Sequence, residues 1–323
     1  MQLVRGIVDA TGCHGGVVSI GNFDGVHLGH ARIVSRLVSR ARRSGQPAVV
    51  VTFDPHPIQL LRADAAPPLL STIEDRARWL GEMGVDVLVA YPTTVEMLRL
   101  DPVDFFREVV RGQLGASGMV EGPNFFFGRD RQGDVGVLSQ LCDAEGIGLD
   151  VVEPELIGSE MVSSSRIRSL LVEGDVESAA EMTGRPYSVR GTVAAGEGRG
   201  RKLGVPTANL SEVLTLVPGD GVYVGATDVD GRRQPAAIHV GSNPTFGESA
   251  DKVEVHLLAF DGDLYGQELA VQFLERVRGT VEFESVDALR EQLTDDIEAV
   301  WQYVEAHPAD DIETGEVDNS GLS

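Results

Sequence analysis

"VVSIGNFDGVHLGH", residues 17–30, runs from a short apolar stretch straight into three glycines and two histidines. Val17, Val18, Ser19 and Ile20 read as a buried strand. Downstream, Ile33, Val34, Leu37, Val38 and Ala41 recur at helical spacing, which predicts a helix beginning near Leu28 or Gly29. Gly21, Gly25 and Gly29 then occupy a strand-to-helix turn, where the lack of a side chain lets backbone and ligand approach closely. The first amides of such a helix have no internal partners and its dipole favours negative charge, so the turn is an anion site by geometry. His27 and His30 stand about one helical turn apart and can address the same anion, a polyphosphate being the natural guest. Taken alone the pair could equally cap or pack, and no third His or Cys follows at zinc-ligand spacing.

From Val17 to about Val152 short apolar runs alternate with helical stretches: "VVSI", "AVVVTF", a helix around Glu74 to Gly84, "VDVLVAY" and "GASGMVEG". That alternation predicts an α/β unit with a parallel sheet covered on both faces. Ligands of such sheets sit beyond the carboxyl ends of the strands, where "GNFDGVHLGH", "TFDPHP" and "EGPNFFFG" all fall. After "EMTGRPYSVRG" short β-branched runs follow one another between Gly, Asp and Asn turns, predicting an antiparallel sheet or small barrel. An amphipathic helix over about 286–306 closes the ordered chain. The boundary is expected near Arg185, giving segments 1–185 and 186–306 and an acidic, disordered tail over 307–323.

A length of 323 residues suits two domains with a core each. The net charge of −23 argues against a nucleic-acid-coating protein, which would need basic surface. Lys202 and Lys252 are the sole lysines; the acid excess is compatible with a high-salt habitat, and the arginine bias with genome composition alone. Two cysteines, the absence of a signal-peptide pattern and the lack of an apolar run approaching about 20 residues lead to the expectation of a reduced, cytoplasmic protein without a membrane or obligatory protein partner.

"VSSSRIRSLL", residues 162–171, is a second anion-binding candidate. Ser163, Ser164 and Ser165 place hydroxyls and free amides at a helix start, and Arg166 and Arg168 add directed positive donors. By itself this reads as a serine cap with solvated arginines. Beside the two histidines it suggests a nucleoside triphosphate held at both ends.

The HxGH of "GNFDGVHLGH" together with "SSSRIR" resembles the nucleotidyltransferase superfamily. With "TFDPHP" and "GPNFFFG", residues 1–185 are similar to the Rossmann-like first half of bacterial bifunctional riboflavin kinase/FAD synthetases. "GRGRKLGVPTANL" resembles the riboflavin kinase signature, so the small antiparallel barrel with its C-terminal helix would be that kinase. The resemblance covers about residues 15–306. It implies that the second domain phosphorylates riboflavin to FMN with ATP, and that the first transfers AMP from ATP to FMN, giving FAD and pyrophosphate, both with Mg²⁺.

The resemblance implies roles residue by residue. His27 and His30 would meet the triphosphate and its transition state, with Asn22, Phe23, Asp24 and Gly25 lining the nucleotide through their backbone. Ser164, Ser165 and Arg168 would grip the β- and γ-phosphates, assisted by Arg166; Ser165 stands where the motif has threonine and keeps the hydroxyl. Phe53, Asn124 and Phe127 would contact the flavin, whose ring needs flat apolar contacts and a few oriented polar groups. Asn124 stands where many relatives have aspartate, and at least one of Phe125, Phe126 and Phe127 is expected in the core.

In the kinase half, Gly196, Arg199, Gly200, Arg201 and Lys202 form a flexible basic loop suited to a polyphosphate. Thr207 and Asn209, two apart on an extended segment, point hard oxygens to one face, as Mg²⁺ prefers. Glu254 stands at the motif's catalytic glutamate, with His256 on the same face as a weaker candidate for the base. Val205 replaces a phenylalanine usual in the family, and Asn243, Pro244 and Thr245 resemble a family turn without assigned chemistry. Two rival readings remain open to the sequence: a nucleotidyltransferase for another phosphorylated substrate, and a flavin carrier that only binds.

Overall fold

The computed structural model describes residues 1–6, 12–196, 198–241 and 252–308. Its contacts divide the chain into two units, Met1–Ser164 and Ser165–Ser323. The acidic tail expected over 307–323 lies, from residue 309 onward, outside the described residues, as do Asn243, Pro244 and Thr245.

In the first unit six strands form one sheet: β1 (Gln2–Arg5), β2 (Val17–Ile20), β3 (Ala48–Asp54), β4 (Val87–Pro92), β5 (Gly118–Glu121) and β6 (Gly148–Val151). Their order is β1-β4-β3-β2-β5-β6 and every neighbouring pair is parallel. Every residue of β2 and β5 is buried, as continuous apolar strands require when both sheet faces are covered. Val34, Leu37 and Ala41 of the helix Leu28–Ser44 pack with Val17, Val50 and Val120. Phe105, Val109, Leu138 and Cys142 cover Val18, Val51 and Met119 on the opposite face.

The chain lays down β2, β3 and β4 in one direction, then returns to place β5 on the other side of β2. Strands whose connections leave in opposite directions open a crevice at their carboxyl ends, here between β2 and β5. The glycine turn leaves β2 at that crevice and "GPNFFFG" leaves β5 beside it. Edge strand β1 was not expected from the sequence; of its four residues only Val4 is buried, too short a signal for period counting. A two-residue hairpin, β7 (Leu156–Ile157) with β8 (Glu160–Met161), precedes Ser164.

In the second unit β9 (Tyr187–Ala194), β10 (Ala208–Ser211), β11 (Gly221–Val229), β12 (Arg232–Gly241), β13 (Lys252–Leu257) and β14 (Glu268–Arg278) close into a barrel ordered β10-β13-β12-β11-β14-β9. All its pairings are antiparallel. Along β13 Val253, Val255 and Leu257 are buried and alternate with half-buried Glu254 and His256, the period-two pattern of a strand with two different faces. Val300 and Val304 of the C-terminal helix Val286–Ala306 pack on Val224, Ala226 and Leu258. Arg278 of β14 grips Asp296 of that helix with two donors, Nε to Oδ1 at 2.8 Å and Nη2 to Oδ2 at 2.7 Å.

Candidate active sites

His27 is the N-cap of the helix Leu28–Ser44: its Nδ1 accepts the amide of His30 at 3.3 Å. An accepting Nδ1 leaves the proton of a neutral imidazole on Nε2. The two rings stack with centroids 3.6 Å apart and planes 17° apart, and His30 also meets the Phe23 ring at 4.9 Å. Both histidines line a cavity of about 240 Å³ at the crevice, together with Phe23, Glu121, Asn124 and Ser163.

The turn that carries them is fixed from below. The Asp24 carboxylate, 1 % exposed, accepts the amides of Leu70 and Ser71, the Ser71 hydroxyl and Arg76 Nη2 at 2.9–3.1 Å. Arg76, 3 % exposed, also donates to the carbonyl of Asn22 at 3.0 Å, which accepts the Thr52 hydroxyl as well at 2.7 Å. The Asp24 side chain is therefore turned into the protein, and only backbone is left to line a nucleotide. Gly25, at φ 80°, adopts the left-handed conformation and donates its amide to the Ser71 hydroxyl. Asn22 Oδ1 is buried with no hydrogen-bond partner among the described residues, an acceptor held at the turn.

The segment before Ser164 docks on the same turn. Ser164 donates its hydroxyl to the carbonyl of Asp24 at 2.9 Å, and a Cβ on Gly29 would stand 3.4 Å from the Val162 carbonyl. The helix Ser164–Glu173 starts where the sequence placed it, with Ser165, Arg166 and Arg168 in its first turns. Ser164 thus carries a structural tie that the sequence did not announce.

Of the flavin candidates, Phe53 is half-buried at the end of β3 with its ring 6.1 Å from Tyr91. Asn124 is exposed, its Nδ2 3.6 Å from Met161 Sδ. Phe127, at 6 % exposure, is packed in the core between Phe105 and a stacked Phe125. Phe125 lines the cavity in its place, while Phe126 is exposed with the Arg131 guanidinium 4.5 Å above its ring. Strand alternation could not decide this, because the segment is a turn rather than a strand.

In the barrel unit Thr207 immediately precedes β10 and Asn209 lies in it, opposite Glu254 of β13. Opposed residues share a face, so amide and carboxylate stand side by side. The glycine loop closes on them: a Cβ on Gly196 would stand 2.3 Å from Asn209 Nδ2, and one on Gly200 would meet the Val205 carbonyl and Thr207 Oγ1. Arg201 and Thr207 line a cavity of about 300 Å³ with Val193, Phe260, Leu264 and Tyr265. The backbone of Arg199–Lys202 is a short helix, and the side chains of Arg199 and Lys202 lie outside the described structure.

His256, the alternative base, has another task. Its Nδ1 donates to the Pro206 carbonyl at 2.7 Å, anchoring the segment that presents Thr207, and burial pushes its pKa down. His239 is opposite Glu254 on the other side, on β12, and was missed by the sequence; burial lowers its pKa too, against the nearby Glu254 charge. Glu121, Arg76 and the Arg278–Asp296 pair were missed for the same reason: nothing local in sequence marks a charged residue as buried.

A Rossmann-like parallel sheet with a polyphosphate-ready turn, followed by a closed barrel with hard oxygen donors, defines a nucleotidyltransferase-type unit joined to a second phosphate-handling unit. The FAD synthetase family profile matches residues 10–166 and the riboflavin kinase profile residues 183–304. The bifunctional riboflavin kinase/FMN adenylyltransferase of Pseudomonas fluorescens is 36% identical over 301 residues, covering 93% of this chain and 96% of that one. That of Bacillus subtilis is 32% identical over 292 residues, covering 89% and 92%. A crystal structure from Streptococcus pneumoniae, named as a macrolide-efflux protein, superposes with a TM-score of 0.82 at 30% identity, covering 93% of this chain and 99% of that one. No helix among the described residues here is long and apolar enough to cross a membrane. The chain belongs to the bifunctional riboflavin kinase/FMN adenylyltransferase family.

Proposed function

We infer that this protein phosphorylates riboflavin to FMN and then adenylylates FMN to FAD. The observation that carries the reading is the presence, in one chain, of the stacked His27–His30 pair at a helix start and the Asn209–Glu254 pair under a glycine loop. We take residues 1–185 as the transferase and 186–306 as the kinase, supported by the family matches and by the start of β9 at Tyr187.

In the transferase, a phosphate oxygen of FMN forms a bond to the α-phosphorus of ATP while the bond to pyrophosphate breaks. No covalent enzyme intermediate is needed; the protein positions two anions and stabilises charge on the leaving group. The Nε2–H of His27, the His30 ring and the backbone of Asn22–Gly25 face the triphosphate. Ser164, Ser165, Arg166 and Arg168 take the β- and γ-phosphates in this reading. Phe53, Asn124 and Phe125 receive the flavin, with Phe127 supporting Phe125 from behind.

In the kinase, Glu254 takes the proton of the ribityl hydroxyl as that oxygen attacks the γ-phosphorus and ADP leaves. Gly196, Arg199, Gly200, Arg201 and Lys202 close over the phosphates. Thr207 and Asn209 fit Mg²⁺: both are hard oxygen donors, and the glycine backbone packs against them. Bound there, the ion would neutralise phosphate charge. The substrates are small nucleotides and flavins, handled in the cytoplasm without nucleic acid or an obligatory protein partner. Incubation with riboflavin, ATP and Mg²⁺, followed by chromatography of the flavins, tests the assignment. FMN followed by FAD is the expected result, and bound but unconverted riboflavin is the contrary one.

A further inference from the structure

Ladder pairing between β2 and β5 covers only Val17 with Gly118 and Val18 with Met119. Beyond Met119 the strands part and the crevice opens, so the amide of Ile20 loses its backbone acceptor on that side. Glu121 supplies the replacement: its Oε1 accepts Ile20 N at 2.8 Å, in a position only 2 % exposed. Ile20 is the last residue of β2, and Gly21 begins the turn that ends on His27. Glu121 also lines the cavity shared by both histidines.

We propose that Glu121 is a positioning residue of the transferase, whose carboxyl completes the sheet where β2 and β5 separate and so fixes the strand end that carries the phosphate-binding turn. The proposal rests on the reading of that turn as the nucleotide site.

The buried site favours the protonated form of this carboxyl. Burial pushes its pKa well above the usual carboxylate range, and the Ile20 amide offsets that only in part. Among the described residues, the ion pairs and hydrogen bonds give Glu121 no cationic partner. His27 and His30 share the cavity from the turn and the first helix, and Glu153 and Glu155 share it from the segment after β6. Arg40, on the helix Leu28–Ser44, is engaged with Asp150 of β6 at 2.9 Å. Cys142 approaches from the helix Val135–Ala144 with its thiol pushed up to about 11, so it stays neutral. Ionisation of Glu121 would place a negative charge in the wall of a cavity meant for phosphates and load the end of β2 with an uncompensated buried ion.

A group whose pKa is raised is protonated below that value, so the transferase works at lower pH and weakens as pH rises through it. Adenylylation of supplied FMN is measured against pH for wild type, E121Q and E121A, with riboflavin phosphorylation by the same preparations as internal reference and a thermal melt to verify folding. Glutamine keeps a neutral donor and acceptor at the same place. Wild type is expected to lose kcat/KM for ATP by about tenfold per pH unit above the limb. E121Q is expected to stay flat through that range and E121A to be weak throughout, while the kinase profile is the same in all three. An E121Q profile that falls with wild type, or an E121A enzyme with wild-type kinetics, overturns the proposal. FMN formation without FAD at any pH in wild type overturns the transferase reading itself, and the proposal with it.

Discussion

Asn209 and Glu254 are directly opposed in the ladder between β10 and β13, which puts a neutral amide oxygen and a carboxylate on one face of the barrel wall. On the proposed reading, this pairing would give the kinase a place for a metal and a place for a proton one strand apart. Glu254→Gln preserves shape and would remove the proposed base. Riboflavin phosphorylation should then fall by about 10²–10⁴-fold while adenylylation of supplied FMN is kept, as read by two separate flavin assays.

The glycine at 196 is required by the same constellation. A methyl group there would stand 2.3 Å from Asn209 Nδ2, so Gly196→Ala must displace either the loop or the amide. The expected result is a loss of about ten- to a hundredfold in kinase kcat/KM, with the Mg²⁺ concentration for half-maximal rate raised. A titration of rate against Mg²⁺ checks it.

The buried Asp24–Arg76 pair holds the transferase turn, with both side chains within 3 % of full burial. Arg76→Ala strands the Asp24 carboxylate without its cation, which costs about 3–5 kcal/mol in comparable buried pairs. The urea midpoint of the first unit should drop, and FAD formation should fall even where the variant is folded, because the Asn22 carbonyl loses a donor.

Much of this architecture was legible. The strand, turn and helix over 17–44 followed from glycine spacing and apolar periodicity, and the barrel from evenly spaced β-branched runs. What escaped is long-range: Asp24 finds Leu70 and Arg76, and Glu121 finds Ile20, across separations of 46, 52 and 101 residues. That one of three consecutive phenylalanines would be core was expected, but they carry no periodicity that selects Phe127 as the inward one. His256 was the weaker candidate for the base because alternation reports only a face, while its bond to Pro206 reports a partner.

His239 and His256 make the barrel sensitive to acid. Burial holds both below the ordinary imidazole value of 6.5, so the unfolded chain binds more protons than the folded one as pH falls. Their contribution is complete above that ordinary value and is lost as pH drops through the folded-state values. Urea midpoints for the second unit should therefore decline from pH 7 towards pH 5, and replacing both histidines by asparagine should flatten that part of the curve.

If two independent sites share one chain, variants each lacking one of them should complement in trans. Glu254→Gln and His30→Ala proteins are each given riboflavin, ATP and Mg²⁺, alone and mixed, and FAD is quantified by chromatography. The account predicts little FAD from either alone, accumulation of FMN by the His30 variant, and FAD restored in the mixture. A mixture no more productive than its parts, with both proteins folded, would contradict it.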